Sequence, residues 1–543
     1  MGIVFTINVL QSYFTPLIFD EAYYWHHAKN LSWGYFDHPP LVALLVKLSG
    51  FFFDGELGVR FMSCILSTAT LFVLWSTIDN PKKKDYVVHF FVLTFSMTLL
   101  NAYGFFTLPD TPLLFFTAFF LYVYKRFLER PSWVWGILLG ITMAGLMYSK
   151  YHAALVILFV LLSNIKLMTN KYAWLSVVVA LLCYTPHFIW LYHNDFVTVN
   201  YHLFDRPNDP YNFRKYTLGY IVNLVAIFGL TFPWIYWSLY KTKASDKFTK
   251  ALLYLTYGVI IFFFLSSFNR RIQAQWAIVI CIPLVIIVYR YMMKSAMVKK
   301  WIYLTGIANI IIILYLRVGL IYEPLSPIYY ETHGNKEWVE QIHSRLGDTP
   351  LVFENSYRNA PMYSFYSGGV PTLSFNTDMY RRNQYSIDDS EAQVQHKGIF
   401  YVSGRYKNDD LNMTKDDGSQ YYGRRIDDFE SFRKLRTLVD GPATLDFEKK
   451  QIFKLYNPYN EAIDLEKLKF NIAYMTDFKI VKDKRLIIPK PVDEKISAIP
   501  ANDTVTFTFK FPTTKMKDPR YFRIGISENG MRFGINGKNT KFE

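Results

Sequence analysis

Apolar segments recur along residues 1–319, and only short polar breaks separate them. A helix needs about 20 residues to cross a bilayer, so the shorter segments would have to tilt or extend into their flanks. The pattern predicts about 11 transmembrane helices in this part of the chain. They fall at about residues 2–18, 59–78, 86–100, 112–124, 133–148, 152–163, 173–190, 218–240, 251–267, 275–290 and 301–319.

Composition indicates that the membrane half is followed by a soluble half. The 543 residues are 51% apolar and 18% aromatic but only 19% charged, whereas soluble proteins carry about 25% charged residues. The mean hydropathy of +0.10 is too low for a chain that lies wholly in a bilayer. These values exclude a disordered chain, a collagen, a coiled coil and a disulfide-rich secreted scaffold.

The net charge of +15 belongs to the membrane half. Residues 1–319 contain 26 Lys and Arg against 13 Asp and Glu, and residues 320–543 contain 33 against 31. Cationic loops facing anionic lipid explain this bias. Nucleic-acid binding is not expected, because the polar half has no basic stripe. All three cysteines lie in apolar stretches, which favours packing over a disulfide or a metal site.

The loops between the predicted spans differ in basic residues. One alternate set holds 15 Lys and Arg, whereas the other, longer set holds 8. Because loops rich in Lys and Arg stay in the cytoplasm, the tail from residue 320 is predicted to lie outside. The first span lacks the basic start and the cleavage site of a secretory signal, so we expect a retained helix.

The acidic residues of the membrane half concentrate in the predicted outer loops. A transporter tends to place ionisable groups near the bilayer midplane, whereas here they lie where a site could meet both lipid headgroups and water. Nine of the 13 acids are in these loops: Asp20, Glu21, Asp37, Asp54, Glu56, Asp110, Asp195, Asp205 and Asp209.

The first outer loop, residues 19–58, has polar pairs at both ends of a Tyr- and Trp-rich segment. Asp20 and Glu21 follow the first span, and Asp37-His38 precedes two prolines and an apolar run. The prolines favour a helix start, whose free N–H groups attract an anion. The alternative is an interfacial aromatic belt, but a belt gives no packing reason for acids at both of its ends.

Further outer residues complete the predicted site. Asp110 lies between prolines at the mouth of a helix, where it could cap the helix, act in catalysis or do both. Lys150 lies at a tight turn, where a lone Lys is either a site residue or an interfacial anchor. Arg270 and Arg271 run against the charge bias of the loops and favour a bound phosphate, and Arg60 belongs to the same group.

These motifs resemble one family of membrane enzymes. The order and spacing of several motifs are similar to those of the polytopic GT-C glycosyltransferases, in the bacterial family of protein-mannosyltransferase-like and lipid A aminoarabinose-transferase-like enzymes (glycosyltransferase family 39/83 type). The motifs that carry the resemblance are DEAYYW…GYFDHPPLVALLVKL…GELGVRFMS, then LPDTPLLFF and SKYHAAL. His38 precedes the two prolines, as in protein mannosyltransferases, where aminoarabinose transferases have Lys.

The resemblance implies transfer of a sugar from a polyprenyl-phosphate donor such as an undecaprenyl phosphate, with inversion. It places the chain in the bacterial cytoplasmic (inner) membrane, with its sugar site on the periplasmic side. The acceptor would be a lipid such as lipid A, a cell-envelope polysaccharide or other glycan, or a protein.

The resemblance also suggests roles for single residues. It implies a catalytic role for Asp20, Glu21 and Asp110, and phosphate binding for Lys150. Asp37 matches an acid linked to a divalent metal ion or to the donor phosphate, and His38 and His193 could join it. No nucleotide cofactor is expected, because the donor supplies the energy and the sequence has no Walker loop and no GxGxxG.

Three domains are predicted. Residues 1–319 form the transmembrane catalytic domain, residues 320–440 an extracytoplasmic α/β domain and residues 441–543 a β-rich domain, expected to be a β-sandwich. Two other functions are left open. A flippase for polyprenyl-linked glycans would need polar residues along a membrane path, of which the spans show few, and an inactive scaffold would not need the Asp20, Asp37 and Asp110 set.

Overall fold

The apolar segments of the first 321 residues form helices. In the computed structural model, residues 1–404, 411–415 and 418–543 are described. The helices of the whole described chain are α1 Gly2–Phe14, α2 Phe19–Lys29, α3 Leu41–Ser49, α4 Gly55–Thr77, α5 Val87–Phe95, α6 Thr98–Ala102, α7 Asp110–Glu129, α8 Trp133–Ser149, α9 Ala154–Ser163, α10 Lys171–His193, α11 Val197–Asn200, α12 Gly219–Ala226, α13 Phe232–Lys241, α14 Lys247–Ser266, α15 Cys281–Met292, α16 Ala296–Ile321, α17 Asn335–Leu346, α18 Asn359–Tyr366 and α19 Ser390–Val394.

Two compact units divide these elements. The first consists of residues 1–195 and 211–333, and the second of residues 196–210 and 334–543. The segment 196–210 was predicted as part of an outer loop of the membrane half. It belongs to the second unit because its backbone and side chains bond there: Asn208 N donates to Phe478 O, and Arg381 Nη1 donates to the Tyr201 hydroxyl.

In the first unit, α4, α10, α14 and α16 are long and apolar enough to cross a membrane. Two bent helix pairs pass the same test as single broken spans. The first is α1 with α2, bent by 88°, and the second is Arg214–Ala226 with Gly229–Lys241, bent by 94°. Three further apolar helices are shorter, and α7 carries several charged residues. The chain is thus a membrane protein, and the count of about 11 spans stays a prediction.

Local sequence explains the bends and the close helix contacts. Pro16 lies in the break between α1 and α2, where it cannot continue a helical hydrogen-bond ladder. Gly229 lies in the second break with a positive φ of 55°, a conformation that glycine adopts without strain. In α8, a Cβ at Gly140 would lie 2.6 Å from the Ser176 carbonyl of α10, so small residues allow these helices to approach.

The second unit is rich in strands. They are β1 Leu351–Glu354, β2 Thr372–Phe375, β3 Lys397–Ser403, β4 Leu411–Thr414, β5 Gln420–Phe429, β6 Arg436–Leu438, β7 Lys450–Tyr456, β8 Ile463–Asp464, β9 Leu468–Met475, β10 Val481–Ile487, β11 Lys490–Pro491, β12 Ala498–Ile499, β13 Thr504–Lys510, β14 Tyr521–Glu528 and β15 Thr540–Lys541.

The strands form the predicted α/β and sandwich regions. One sheet has the order β2-β1-β3-β5-β4, with β1 parallel to β2 and β3. Two four-stranded sheets follow, β10-β9-β14-β15 and β11-β13-β7-β6. Phe453 and Phe507 of one sheet pack with Phe470 and Ile524 of the other in a shared buried core. The fold class predicted from the sequence is therefore confirmed.

Candidate active site

The bend between α1 and α2 places Asp20 and Glu21 in the first turn of α2. Glu21 is completely buried and forms an ion pair with Arg60 of α4. Its Oε1 also accepts a hydrogen bond of 2.8 Å from Thr107 N, and its Oε2 accepts one from Ile18 N. Glu21 therefore joins α2 to α4 and to the segment that leads into α7.

Arg60 has no spare hydrogen-bond donor. Nε and Nη2 each donate to Glu21, and Nη2 also donates to Pro16 O. Nη1 donates to the carbonyl oxygens of Ser12 and Thr15. A guanidinium has five N–H groups, and these five bonds use them all. The predicted phosphate contact of Arg60 would require breaking one of these buried bonds.

Asp110 and Lys150 form a second buried ion pair. Lys150 directly follows α8, and its Nζ lies 2.7 Å from Asp110 Oδ1 and 3.0 Å from Oδ2. Both side chains are less than 10% exposed. Both hydrogen bonds of the ammonium go to one carboxylate, so at least one of its three N–H groups remains available for another acceptor.

The expectation that Asp110 caps its helix is wrong. The helix α7 begins at Asp110 itself, Pro109 takes the N-cap position, and no side-chain cap bond forms there. The physical reason is position: Asp110 is the first residue of the helix rather than the residue before it, and its two carboxylate oxygens accept from Lys150 Nζ instead. The helix start that the two prolines predicted at residues 39–40 is confirmed, since α3 begins at Leu41.

Two acids of the predicted site, Asp20 and Asp110, act electrostatically on the hydroxyl of Tyr103. Its side chain is buried in the segment between α6 and α7, and burial together with the charges of Asp110 and Asp20 raises the pKa of its hydroxyl well above the ordinary value. Burial together with the charges of Glu331, Glu21 and Asp20 raises the pKa of the Tyr330 hydroxyl to about 12. Asp20 and Asp110 therefore both act electrostatically on Tyr103, and Lys150 pairs with Asp110.

The segment between α2 and α3 holds a second group of polar residues. The Tyr23 hydroxyl donates to Asp37 Oδ2 over 2.9 Å, and Asp37 is buried. The His38 ring lies 5.7 Å from that of Tyr24. His27 stacks on Tyr35 with ring centroids 4.3 Å apart. The aromatic residues that suggested an interfacial belt therefore pack around Asp37 and His38.

The remaining predicted site residues are Arg270, Arg271 and His193, which lie after α14 and at the end of α10. Arg270 is partly buried and Arg271 is exposed after α14, and His193 is exposed at the end of α10. In residues 1–404, 411–415 and 418–543, no group of three His, Cys, Asp or Glu side chains is placed to hold a metal ion. The roles of these residues in phosphate or metal binding stay predictions.

Three residues of this region were missed in the sequence. Tyr23 and Tyr103 are two of 41 tyrosines, so nothing in the sequence distinguishes them. Arg317 could have been recognised in the sequence, because a charged residue within a long apolar helix is energetically unfavourable unless it has a specific partner. It is buried in α16 and bonds to Asn8 and Asn101.

Comparison with known proteins identifies relatives of this region. Residues 37–190 match the family model of dolichyl-phosphate-mannose-protein mannosyltransferase. That stretch contains Asp37, Arg60, Asp110 and Lys150. The lipid A galacturonosyltransferase RgtD of Rhizobium johnstonii is 24% identical over 284 residues, which are 49% of this chain and 58% of that protein. The chain thus spans little more than half of this curated relative.

Solved structures share the fold. The crystal structure of ArnT from Cupriavidus metallidurans in the apo state matches with a TM-score of 0.54 and 12% identity, over 74% of this chain and 92% of that one. The structure of the same enzyme bound to undecaprenyl phosphate matches with a TM-score of 0.52 and 12% identity over the same shares. The predicted resemblance is confirmed: residues 37–190 have the sequence pattern of the mannosyltransferase family, and the chain has the fold of the GT-C glycosyltransferases.

Proposed function

We propose that this protein is a membrane glycosyltransferase that moves a sugar from a polyprenyl-phosphate donor to an extracytoplasmic acceptor hydroxyl. The single observation that carries the proposal is the buried Lys150 ammonium, which is held by Asp110 and keeps an N–H group for a further acceptor. The matching family model and the undecaprenyl phosphate in the related ArnT structure support a lipid-linked donor.

The chemistry requires charge stabilisation at the leaving group. As the bond between the sugar C1 and the phosphate oxygen breaks, its electron pair leaves with the polyprenyl phosphate, which gains a negative charge. Lys150 donates to that oxygen and stabilises the charge in a water-poor site. Asp110 keeps the ammonium in place through its two hydrogen bonds with Lys150 Nζ.

Asp20 is the general base of this proposal. It lies at the start of α2, is partly exposed and acts electrostatically on Tyr103 together with Asp110. The acceptor hydroxyl gives its proton to the Asp20 carboxylate while its oxygen forms the new bond to C1. Attack opposite to the leaving phosphate inverts the configuration at that carbon. The sugar is a hexose or a pentose, and the acceptor is a lipid, a polysaccharide or a protein.

Glu21 and Arg60 support this site rather than act in it. Their side chains are fully buried, and each hydrogen bond of the Arg60 guanidinium ends on a protein acceptor. Through Thr107, Glu21 holds the segment that leads to Asp110. This assignment replaces the catalytic role of Glu21 that the resemblance implied and the phosphate-binding role of Arg60 that was expected from the charges of the outer loops.

The described residues around Asp37 do not fit a metal site. Its carboxylate accepts from Tyr23, and no group of three possible ligands forms anywhere in the described ranges. No step of the mechanism is therefore assigned to a metal ion. Asp37 and His38 instead belong to a buried aromatic cluster next to α2, and Arg270 and Arg271 are proposed as outer contacts of the donor phosphate.

The test is sugar transfer in membranes that contain the protein and a labelled polyprenyl-phosphate sugar. Asp20→Asn is expected to abolish transfer while the purified variant keeps the melting temperature of the wild type. The control is Asp79→Asn, because Asp79 pairs with Lys125 at the far end of α7 and touches none of the proposed site. Near-normal turnover of Asp20→Asn would overturn its role as base.

The same membranes separate transfer from flipping. In proteoliposomes, movement of the labelled donor between leaflets is scored apart from product formation. Product without a change in donor movement supports a transferase. Donor movement that survives Asp20→Asn, without any product from the wild type, would favour the flippase and contradict the proposed function.

The proposal includes the inner membrane and an extracytoplasmic second unit. Support comes from the Lys and Arg bias of the loops in the first unit. A single cysteine placed at exposed Ile488 of the second unit, in a chain without other cysteines, should react in intact spheroplasts with a maleimide that cannot cross membranes. Labelling only after lysis would place this unit in the cytoplasm.

A further inference from the structure

Arg317 is a buried charge without a carboxylate partner. It lies in α16 and is only 4% exposed. Its Nε donates to Asn101 Oδ1 over 2.8 Å, and its Nη2 donates to Asn8 Oδ1 over 2.8 Å. These acceptors are neutral amides. Within the described part of the chain, no Asp or Glu forms an ion pair with Arg317, so its positive charge is not compensated by the protein.

One nitrogen of this guanidinium also lacks a hydrogen bond. Nη1 is buried and has no partner among the described residues. A buried donor without an acceptor is unfavourable, and more so when the group is charged. One negatively charged ligand would accept the hydrogen bonds of Arg317 Nη1 and would also supply the counter-charge that the guanidinium lacks.

Arg317 lines a small cavity with the chemistry for such a ligand. The cavity of about 30 Å³ is lined by apolar residues such as Leu71 and by polar residues from α1, α4, α5 and α6, among them Asn8, Ser67 and Asn101. Gly104 keeps it open, because a Cβ there would lie 2.8 Å from Asn8 Nδ2 and 3.2 Å from Ser67 Oγ. A volume of this size holds one or two waters or one monatomic ion.

We propose that a monovalent anion of the size of chloride binds in this cavity. It accepts hydrogen bonds from Arg317 Nη1, Asn8 Nδ2 and Ser67 Oγ. A water molecule would satisfy the donors but would leave the buried charge uncompensated, which is unfavourable in a low-dielectric interior. Lys150 is not among the described residues that line this cavity, so the anion site is separate from the phosphate contact proposed for Lys150.

The anion would stabilise the segment that carries part of the proposed active site. Arg317 donates to both the side chain and the carbonyl of Asn101, and its guanidinium lies 4.5 Å from the Phe105 ring. Tyr103, in the same segment, lines the cavity, and the charges of Asp110 and Asp20 act on its hydroxyl. An anion that fixes Arg317 therefore fixes the path of the chain from α6 to α7.

The direct experiment uses bromide, which scatters X-rays anomalously. Crystals of the full chain grown in sodium bromide should show an anomalous peak in hydrogen-bond contact with Arg317 Nη1. Density at this place without anomalous signal, in crystals whose bromide is visible at the protein surface, means water and overturns the proposal.

Thermal unfolding provides the test in solution. The purified full chain is titrated with sodium chloride against sodium gluconate at constant ionic strength, and a saturable rise in melting temperature is expected. Ser67→Ala removes one donor to the anion, and the half-saturating chloride concentration should rise about tenfold. Thr70→Val is the matched control, because the Thr70 hydroxyl already donates to Leu66 O and should leave the response unchanged.

Arg317→Gln is a second variant, which tests the proposal even if Ser67→Ala changes the chloride response only slightly. Arg317→Gln should lose the chloride response completely while keeping an amide that can bond Asn101. If this variant does not fold, the bromide experiment on the wild type decides alone. An equal rise in melting temperature with chloride and gluconate, or an unchanged response in a folded Arg317→Gln, would overturn the proposal.

Discussion

Two buried ion pairs of the first unit, Glu21–Arg60 and Asp110–Lys150, have similar burial and different hydrogen bonding. In the first, each N–H group of the guanidinium has a protein acceptor. In the second, the hydrogen bonds of the ammonium to described residues all end on one carboxylate. Burial alone would mark both pairs as candidates for a site. The donors that remain unused separate the pair that stabilises the fold from the pair that can bind a ligand.

The two ends of α7 extend the comparison. Asp110 begins this helix and pairs with Lys150, whereas Lys125 near its end pairs with Asp79. Lys125 also donates to Thr77 O over 2.8 Å, and the Asp79 side chain is 63% exposed. The same residue types therefore form a dry pair at one end of the helix and a hydrated pair at the other.

The largest effect is expected from breaking the saturated pair. Arg60→Met leaves the Glu21 carboxylate buried without its counter-charge, which should cost about 3–5 kcal/mol of folding free energy. Thermal unfolding in detergent, together with the yield of folded protein, measures this loss. The double variant Glu21→Gln with Arg60→Met should recover part of it. A melting temperature of Arg60→Met equal to that of the wild type would contradict a stabilising role for the pair.

The second effect is on activity. Lys150→Met should lower kcat for sugar transfer roughly 100- to 1,000-fold, as for the loss of a donor to a developing negative charge. Lys150→Met with Asp110→Asn, which leaves no uncompensated buried charge, should be equally slow and more stable than Lys150→Met. Steady-state transfer assays and melting temperatures of both variants are measured. Transfer by Lys150→Met within tenfold of the wild type would remove Lys150 from the mechanism.

A smaller effect is expected at the far end of α7. Lys125→Met should lower the folding free energy by about 1 kcal/mol, because exposed Asp79 regains water when its partner is lost. Transfer by the folded variant should match that of the wild type. A loss of activity as large as that of Lys150→Met would mean that α7 transmits any change in charge to the site, and would break the contrast between its two ends.

The smallest effect concerns a pair in the second unit. Burial alone would raise the pKa of the Glu430 carboxyl. Hydrogen bonds from Lys467 and Asn529 outweigh the effect of burial and hold this pKa below its ordinary value. The stabilisation is present above the unfolded pKa of about 4.3 and is lost as pH falls through the folded pKa. Urea unfolding should show Glu430→Gln destabilised by about 0.5 kcal/mol at pH 7 and by less as the pH is lowered towards 3. An equal difference at both values would assign the effect to packing.

Much of the fold could be predicted from sequence because apolar periodicity is local. The segments expected at 59–78, 173–190, 251–267 and 301–319 overlap the four long apolar helices. In the outer loop 19–58 the two prolines predicted the start of α3, whereas α2 was not predicted. The aromatic and charged composition of α2 is typical of a loop at the membrane surface, and tertiary burial of Glu21, Tyr23 and His27 decides its conformation instead.

The site could be predicted less completely. Isolated polar residues such as Asp110 and Lys150 stand out in an apolar sequence, but their pairing joins residues 40 positions apart. The difference between Lys150 and Arg60 depends on carbonyl groups of Ser12, Thr15 and Pro16, which are exposed for bonding because the chain bends there. Backbone acceptors leave no mark in a sequence, so the role of Arg60 could not be read from it.

The assignment of residues 196–210 to the second unit has a consequence for engineering the protein. The chain passes between the two units three times, at residues 195–196, 210–211 and 333–334. A truncation before Gly334 would therefore leave the aromatic and polar side chains of 196–210, including Tyr201, without the surface that Arg381 provides. Residues 334–543 therefore cannot be removed without affecting residues 196–210. A version of either unit expressed alone has to replace or include this inserted segment.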